Sequence, residues 1–305
     1  GSRNIHQKLE TKLAQWLDRE IVLLYPSGFQ ANLAAVLALT DRHTPVICDR
    51  LIHHSLLVGV KASGAKLIRF KHNNLSELER LLKKSRQSNP QKQPLVITES
   101  LFSMEGTTAP IKEISKLCIK YDSKLLIDEA HAFGVMGPEG RGESFGLKEP
   151  ISIISGTFGK AFGSGGAFLA TDKITGENLI QNCGAFRYTT ALAPPLCASA
   201  LAALNLIQSN PSWGSELKEK AIAFRDRLSQ LGWQRPVGEG PIISIILGSD
   251  ELAIDCQKKL EAQGLLAVAI RPPTVPEGKS RLRLVIRRNT PDQAFERLIE
   301  VLKNK

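Results

Sequence analysis

Leu125-Leu126-Ile127-Asp128-Glu129-Ala130-His131 is the stretch whose reading decides the fold of this chain. Its leading residues are apolar without alternation, which fits a strand buried on both faces of a sheet. Such strands belong to parallel sheets covered by helices on both sides. The strand closes on a carboxylate, and an imidazole follows in the turn. In open α/β sheets, ligands bind at the carboxyl ends of the strands. Asp128 taken alone is equally well explained as a helix cap, and His131 alone as a structural residue.

The pattern extends in both directions. Apolar runs of strand length occupy 21–25, 46–48, 66–70, 95–98, 124–128, 151–155 and 167–170. Helical periodicity fills 32–39, 55–62, 76–86 and 111–121 between them. This alternation predicts an α/β fold with a mostly parallel sheet flanked by helices. From about Ser215 the spacing changes. A helix over 217–231 ends at Gly232, a strand over 242–247 follows Pro241, a helix over 252–262 ends before Gly264, and a strand covers 282–286. The last helix carries strong start signals: Thr290 as N-cap, Pro291 in the first position and Gln293 completing a capping box. Phe295, Leu298, Ile299 and Leu302 then share one face. The expected organisation is a large domain over 1–214 and a smaller C-terminal α/β domain over 215–305.

Bulk composition narrows the function classes. Hydrophobic residues make up 42% and charged residues 23% of the chain, as in a soluble globular protein, and no apolar run is long enough for a membrane span. The net charge is +10, but the basic residues are scattered, and the densest cluster, Lys83-Lys84-Ser85-Arg86 with Lys92, has no interleaved aromatics. No nucleic-acid partner is expected from that pattern. The five cysteines have no metal-ligand spacing, so a reduced, cytoplasmic protein without a metal site is expected.

Downstream of the first stretch lies Thr157-Phe158-Gly159-Lys160-Ala161-Phe162-Gly163-Ser164-Gly165-Gly166. The run is no phosphate-binding P-loop, because Ile154 occupies the position of its first glycine and Ala161 follows the lysine. It is no dinucleotide fingerprint either, since a strand rather than a helix comes next. A lysine between glycines can approach a bound carbonyl closely. With a carboxylate at the end of a neighbouring strand, it suggests pyridoxal phosphate. Lys160 would hold the aldehyde as a Schiff base, and Asp128 would keep the pyridine nitrogen protonated. The phosphate needs amides and hydroxyls: Gly28, after Ser27 and between a strand and a helix, supplies a helix N-terminus, and Thr157 adds a hydroxyl. His53, after Asp49-Arg50-Leu51-Ile52, could lie flat on a ring.

Ser27-Gly28-Phe29-Gln30-Ala31-Asn32, Asp49-Arg50-Leu51-Ile52-His53, Ser103-Met104-Glu105-Gly106, Asp128-Glu129-Ala130-His131 and Thr157-Phe158-Gly159-Lys160 occur in the order seen in the α-oxoamine synthases. The chain resembles this family of fold-type I pyridoxal phosphate enzymes along its whole length. The resemblance implies a fold-type I transferase with a seven-stranded, mostly parallel sheet. It implies Lys160 as the cofactor lysine and the base at the substrate α-carbon, with Asp128 on the pyridine nitrogen. His131 and Ser103 would bond the ring's phenolic oxygen, and His53 would stack on the ring and meet substrate. Gly28, Phe29 and Thr157 would hold the phosphate. Thr189 would reach the phosphate of a neighbouring subunit, so a homodimer is expected. Arg271 would bind the amino-acid carboxylate, with Thr274 nearby.

Ile270-Arg271-Pro272-Pro273-Thr274-Val275-Pro276, then Arg281-Leu282-Arg283-Leu284, looks most like members that act in biotin synthesis. Those members condense L-alanine with pimeloyl-CoA or a pimeloyl-acyl carrier protein and release carbon dioxide and free thiol. Sister reactions use glycine or serine with another acyl chain. Members usually carry, before the point where this sequence begins, a helix and an Asn-Asp-Tyr-Leu-type segment that shapes the substrate entrance. Without that segment, a form that binds cofactor but turns over poorly is the competing expectation.

Overall fold

The strand read first is β5 (Lys124–Asp128), and it lies at the centre of a seven-stranded sheet. The computed structural model describes residues 1–147 and 149–303. With β1 (Ile21–Tyr25), β2 (Pro45–Asp49), β3 (Lys66–Phe70), β4 (Leu95–Glu99), β6 (Ile151–Thr157) and β7 (Ala167–Thr171), the order is β1-β7-β6-β5-β4-β2-β3. The strands β3, β2, β4, β5 and β6 pair in parallel. β7 runs antiparallel to both β6 and β1. The reason is the connection: only the short loop 158–166 joins β6 to β7, and a parallel crossover needs a dozen or more residues. The sheet therefore matches the expected fold class, with one reversed strand that periodicity does not reveal.

Every residue of β4 is buried, and so is β5 after its first residue. Their register sets Glu99 beside Asp128 and Asp128 beside Ser155 at the carboxyl ends of three adjacent strands. The helices α2 (Gly28–Leu39), α3 (His54–Ser63), α4 (Leu75–Ser88) and α5 (Ile111–Lys120) occupy the expected segments. α2 packs closely because its inner residues are small: Ala31, Ala34 and Ala35 are fully buried. A Cβ at Gly59 of α3 would come within 2.9 Å of the Val36 side chain, so the helix contact requires glycine there. Helices not expected from the sequence are α1 (Asn4–Leu17), α6 (Lys173–Asn182), the short α7 (Gly184–Arg187) and α8 (Pro194–Gln208).

Residues 1–101 and 109–211 form this first compact unit. The second unit comprises residues 102–108 and 212–305. It contains α9 (Trp213–Gln230), β8 (Ile242–Gly248), α10 (Asp250–Ala262), β9 (Val268–Ile270), β10 (Ser280–Val285) and α11 (Gln293–Lys303). Its three strands are antiparallel in the order β8-β10-β9. The segment 102–108 is held there by side chains of that sheet. Arg283 donates to the Ser103 carbonyl at 2.6 Å, and Ser244 donates to the Met104 carbonyl at 2.5 Å. Arg225 is fully buried and donates only to carbonyls in the bonds found for it, those of Ala221, Val237 and Ile242. One expectation fails in this unit. α11 begins at Gln293, and the Thr290 hydroxyl accepts the N–H of Arg287 instead of capping the helix. The local turn captures the hydroxyl before the helix starts.

Among the described residues, no helix is long and apolar enough to cross a membrane.

Candidate active site

Asp128 ends β5 with its side chain buried. One carboxylate oxygen accepts the N–H of Ala130 at 2.9 Å. The other accepts the side-chain amide of Asn32 at 2.7 Å. The same Asn32 nitrogen donates to the Ser55 hydroxyl at 3.0 Å, and that hydroxyl lies 2.7 Å from Nδ1 of His53.

His53 is the N-cap of α3, and its Nδ1 accepts the N–H of Ser55 at 3.3 Å. An Nδ1 that accepts a backbone N–H carries no proton, so the Ser55 hydroxyl donates to it and the neutral ring holds its hydrogen on Nε2. Burial lowers the His53 pKa below the ordinary histidine value; Lys160 and His54 add to this and Asp128 opposes it.

Lys160 sits in the loop between β6 and β7. The Phe158 and Phe162 side chains on either side of it are buried, and Phe162 stacks on Phe133 with ring centroids 4.6 Å apart. These aromatic anchors leave the intervening lysine exposed. Gly163 completes the turn at φ 57°, a left-handed conformation that favours glycine, and its N–H reaches the Lys160 carbonyl. The Lys160 amine lies 2.8 Å from Nε2 of His131.

The N-terminus of α2 forms the remaining wall. Ser27 caps it by accepting the N–H of Gln30 at 3.3 Å. The N–H groups of Gly28 and Phe29 precede the first helical acceptors and point outward from the helix start. Thr157 donates to the Gly166 carbonyl at 3.0 Å and accepts the N–H of Gly159 at 3.3 Å. A Cβ on Gly28 would stand 3.8 Å from the Thr157 hydroxyl and would fill the space between them.

Gly28, Phe29, His53, Asp128, His131, Thr157 and Lys160 all line one cavity of about 150 Å³, together with Asn32 and Glu99. A wider cleft of about 840 Å³ opens at the other ends of the strands, among residues such as Arg19, Asp122 and Asp172, and holds none of the candidates. The smaller cavity is the candidate site, because it gathers these candidate side chains and the wider cleft does not. The other candidates are not among its lining. Ser103, Arg271 and Thr274 belong to the second unit, the last two exposed. Thr189 follows α7, half-buried. Sequence reading missed Asn32, Ser55 and Glu99. Asn32 follows Gly28 by one helical turn, which is the signal that would have placed it on the same face.

The pattern of the family "Aminotransferase class I and II" matches residues 1–302. The 8-amino-7-oxononanoate synthase of Methylobacillus flagellatus is 38% identical over 304 residues, covering 99% of this chain and 76% of that protein. Among solved structures, the 8-amino-7-oxononanoate synthase of Francisella tularensis superposes with a TM-score of 0.86 at 28% identity, covering 100% of this chain and 88% of that one. A serine palmitoyltransferase from S. paucimobilis, solved with a bound PLP–myriocin aldimine, superposes with a TM-score of 0.92 at 26% identity, covering 100% of this chain and 77% of that one.

Proposed function

Given that the chain belongs to the class I and II aminotransferase family, we propose that it condenses L-alanine with a pimeloyl thioester. The products are 8-amino-7-oxononanoate, carbon dioxide and the free thiol of coenzyme A or of an acyl carrier protein. The protein is an enzyme of the acyltransferase type, and pyridoxal phosphate is its cofactor. The observation that carries the reading is the convergence of Lys160, Asp128, His131 and His53 on one cavity beside a helix N-terminus.

The residues present fit the cofactor. A carboxylate, a primary amine and the open cradle between Gly28 and Thr157 lie around one cavity, as a ring nitrogen, an aldehyde and a phosphate require. When bound, pyridoxal phosphate supplies an electron-withdrawing ring conjugated to the amino-acid α-carbon. Asp128 holds the ring nitrogen's proton. Gly28, Phe29 and Thr157 bind the phosphate through amides and a hydroxyl. His53, which lines the same cavity, would pack on the ring and offer its Nε2–H to substrate. Lys160 takes the α-proton of L-alanine and returns one after carbon dioxide has left. His131, in contact with the amine, orients it and shares its proton. By the family resemblance alone, Ser103 would bond the phenolic oxygen, and Arg271 with Thr274 would receive the amino-acid carboxylate. Thr189 serves the phosphate of a second subunit in a homodimer. The five buried cysteines suit a reducing, cytoplasmic setting.

The TM-score of 0.92 to serine palmitoyltransferase favours one second reading, a sister condensation that uses serine. Release of labelled carbon dioxide from the amino-acid carboxyl separates the two. L-alanine with pimeloyl-CoA should release it, and serine with palmitoyl-CoA should not. The reverse result assigns the sister reaction.

A further inference from the structure

We infer that Asn32 is the positioning residue of Asp128: its buried amide fixes the carboxylate that faces the cofactor's ring nitrogen. The inference rests on the cofactor reading above and adds a residue to it.

Asn32 lies on α2 and is only 4% exposed. Its nitrogen has two acceptors, Oδ2 of Asp128 at 2.7 Å and Oγ of Ser55 at 3.0 Å. The Ser55 oxygen is an acceptor here because its own hydrogen is committed to Nδ1 of His53. The amide therefore has one orientation. Turned over, it would press Oδ1 against a carboxylate. With Ala130 donating to the other oxygen of Asp128 at 2.9 Å, each carboxylate oxygen has one N–H partner and the plane of the group is set.

The amide's own Oδ1 is buried and has no hydrogen-bond partner among the described residues. A buried acceptor without a donor is destabilising, so an apolar side chain would serve the packing of α2 better. What asparagine supplies at this position is the donor to Asp128. Ser55 anchors it and links it to His53, so the carboxylate that would pair with the ring nitrogen and the imidazole of His53 hang on one chain of hydrogen bonds.

The test titrates the full chain with pyridoxal phosphate and reads the visible band for the dissociation constant. Turnover number and amino-acid KM are measured on the loaded enzyme. Asn32→Leu keeps the side-chain bulk and removes both donors. It should fold by circular dichroism, yet raise the cofactor dissociation constant about tenfold to a hundredfold, as loss of a hydrogen bond to a charged group does. The turnover number should fall, while the amino-acid KM stays within about twofold, because Asn32 acts through Asp128 and not on substrate. Ser55→Ala removes only the anchor and should raise the dissociation constant about threefold, a fraction of one such bond. A folded Asn32→Leu protein with wild-type cofactor affinity and turnover overturns the inference. If that variant does not fold, Ser55→Ala with both quantities unchanged overturns it. A wild-type chain that develops no visible band overturns the cofactor reading, and this inference with it.

Discussion

The amine of Lys160 and Nε2 of His131, 29 residues apart in sequence, stand 2.8 Å from each other. The contact joins the loop after β6 to the turn after β5, two adjacent parallel strands whose carboxyl ends open on one cavity. At this distance one nitrogen donates and the other accepts, so a proton on the amine has a neighbour to share it. Phe158 and Phe162 hold the loop down on both sides of the lysine, which is why an exposed side chain can have a defined position.

Lys160→Ala should therefore change chemistry and not folding. The side chain is exposed, so stability should stay within about 0.5 kcal/mol. No borohydride-reducible visible band should form with pyridoxal phosphate. Turnover should fall by at least about a hundredfold to ten-thousandfold, the contribution of a positioned proton-transfer group. Wild-type activity in this variant would remove Lys160 from the site.

Asp128→Asn is expected to keep cofactor but weaken its electron withdrawal. The new amide can still accept from Ala130, but it no longer offers a carboxylate oxygen to the ring and the Asn32 donor. A turnover loss of about a hundredfold or more, with the cofactor still bound, is the expected outcome. Stopped-flow absorbance after mixing with L-alanine and measurement of bound cofactor would check both halves.

His53 sets an acid limit. Burial lowers its pKa in the folded chain, so between that value and the unfolded value of about 6.5 the unfolded chain binds more protons. Stability linked to His53 is complete above the unfolded value and is lost as pH falls towards the folded one. Protonation at Nδ1 also removes the cap on the Ser55 N–H. His53→Asn keeps a good capping side chain without the titration. Its denaturation midpoint should fall less than that of the wild type between pH 7 and pH 5, roughly the range in which histidine titrates. Equal slopes would refute the assignment.

Glu129 is a test of the scaffold. Its buried carboxylate accepts the Ser100 hydroxyl at 2.5 Å and the N–H groups of Ser144 and Glu143 at 2.8 and 3.2 Å. Burial raises its pKa, and these donors oppose the rise. Glu129→Ala leaves them unpaired beneath the turn that carries His131 and should cost about 3 kcal/mol in urea unfolding. A loss below about 1 kcal/mol would mean that water replaces the carboxylate.

The cysteines should be silent in the native protein. All five are buried, and burial pushes the thiols of Cys48 and Cys118 up to about 12. A colorimetric thiol reagent at pH 8 should find almost none before unfolding and all five after it, since the reactive species is the thiolate. A rapid native reaction would show an open path to one of them.

The sequence by itself determined what depends on neighbours within a few positions. Continuous apolar runs marked the buried strands, helical periodicity marked α2, and the glycines around Lys160 marked a turn. The order of the motifs was enough to bring Gly28, His53, Asp128, His131, Thr157 and Lys160 to one cavity. Tertiary structure decided the rest. The reversal of β7 comes from the reach of a short loop between paired strands, not from any pattern inside it. Thr290 carries every local sign of a cap, yet its hydroxyl goes to Arg287. Asn32 reads as one polar residue on an apolar helix until packing sets its amide against a carboxylate 96 positions away. Propensity and capping are local energies that a sequence displays directly. A hydrogen bond between distant elements exists only once the chain has closed the loops between them, and no local pattern records its partner.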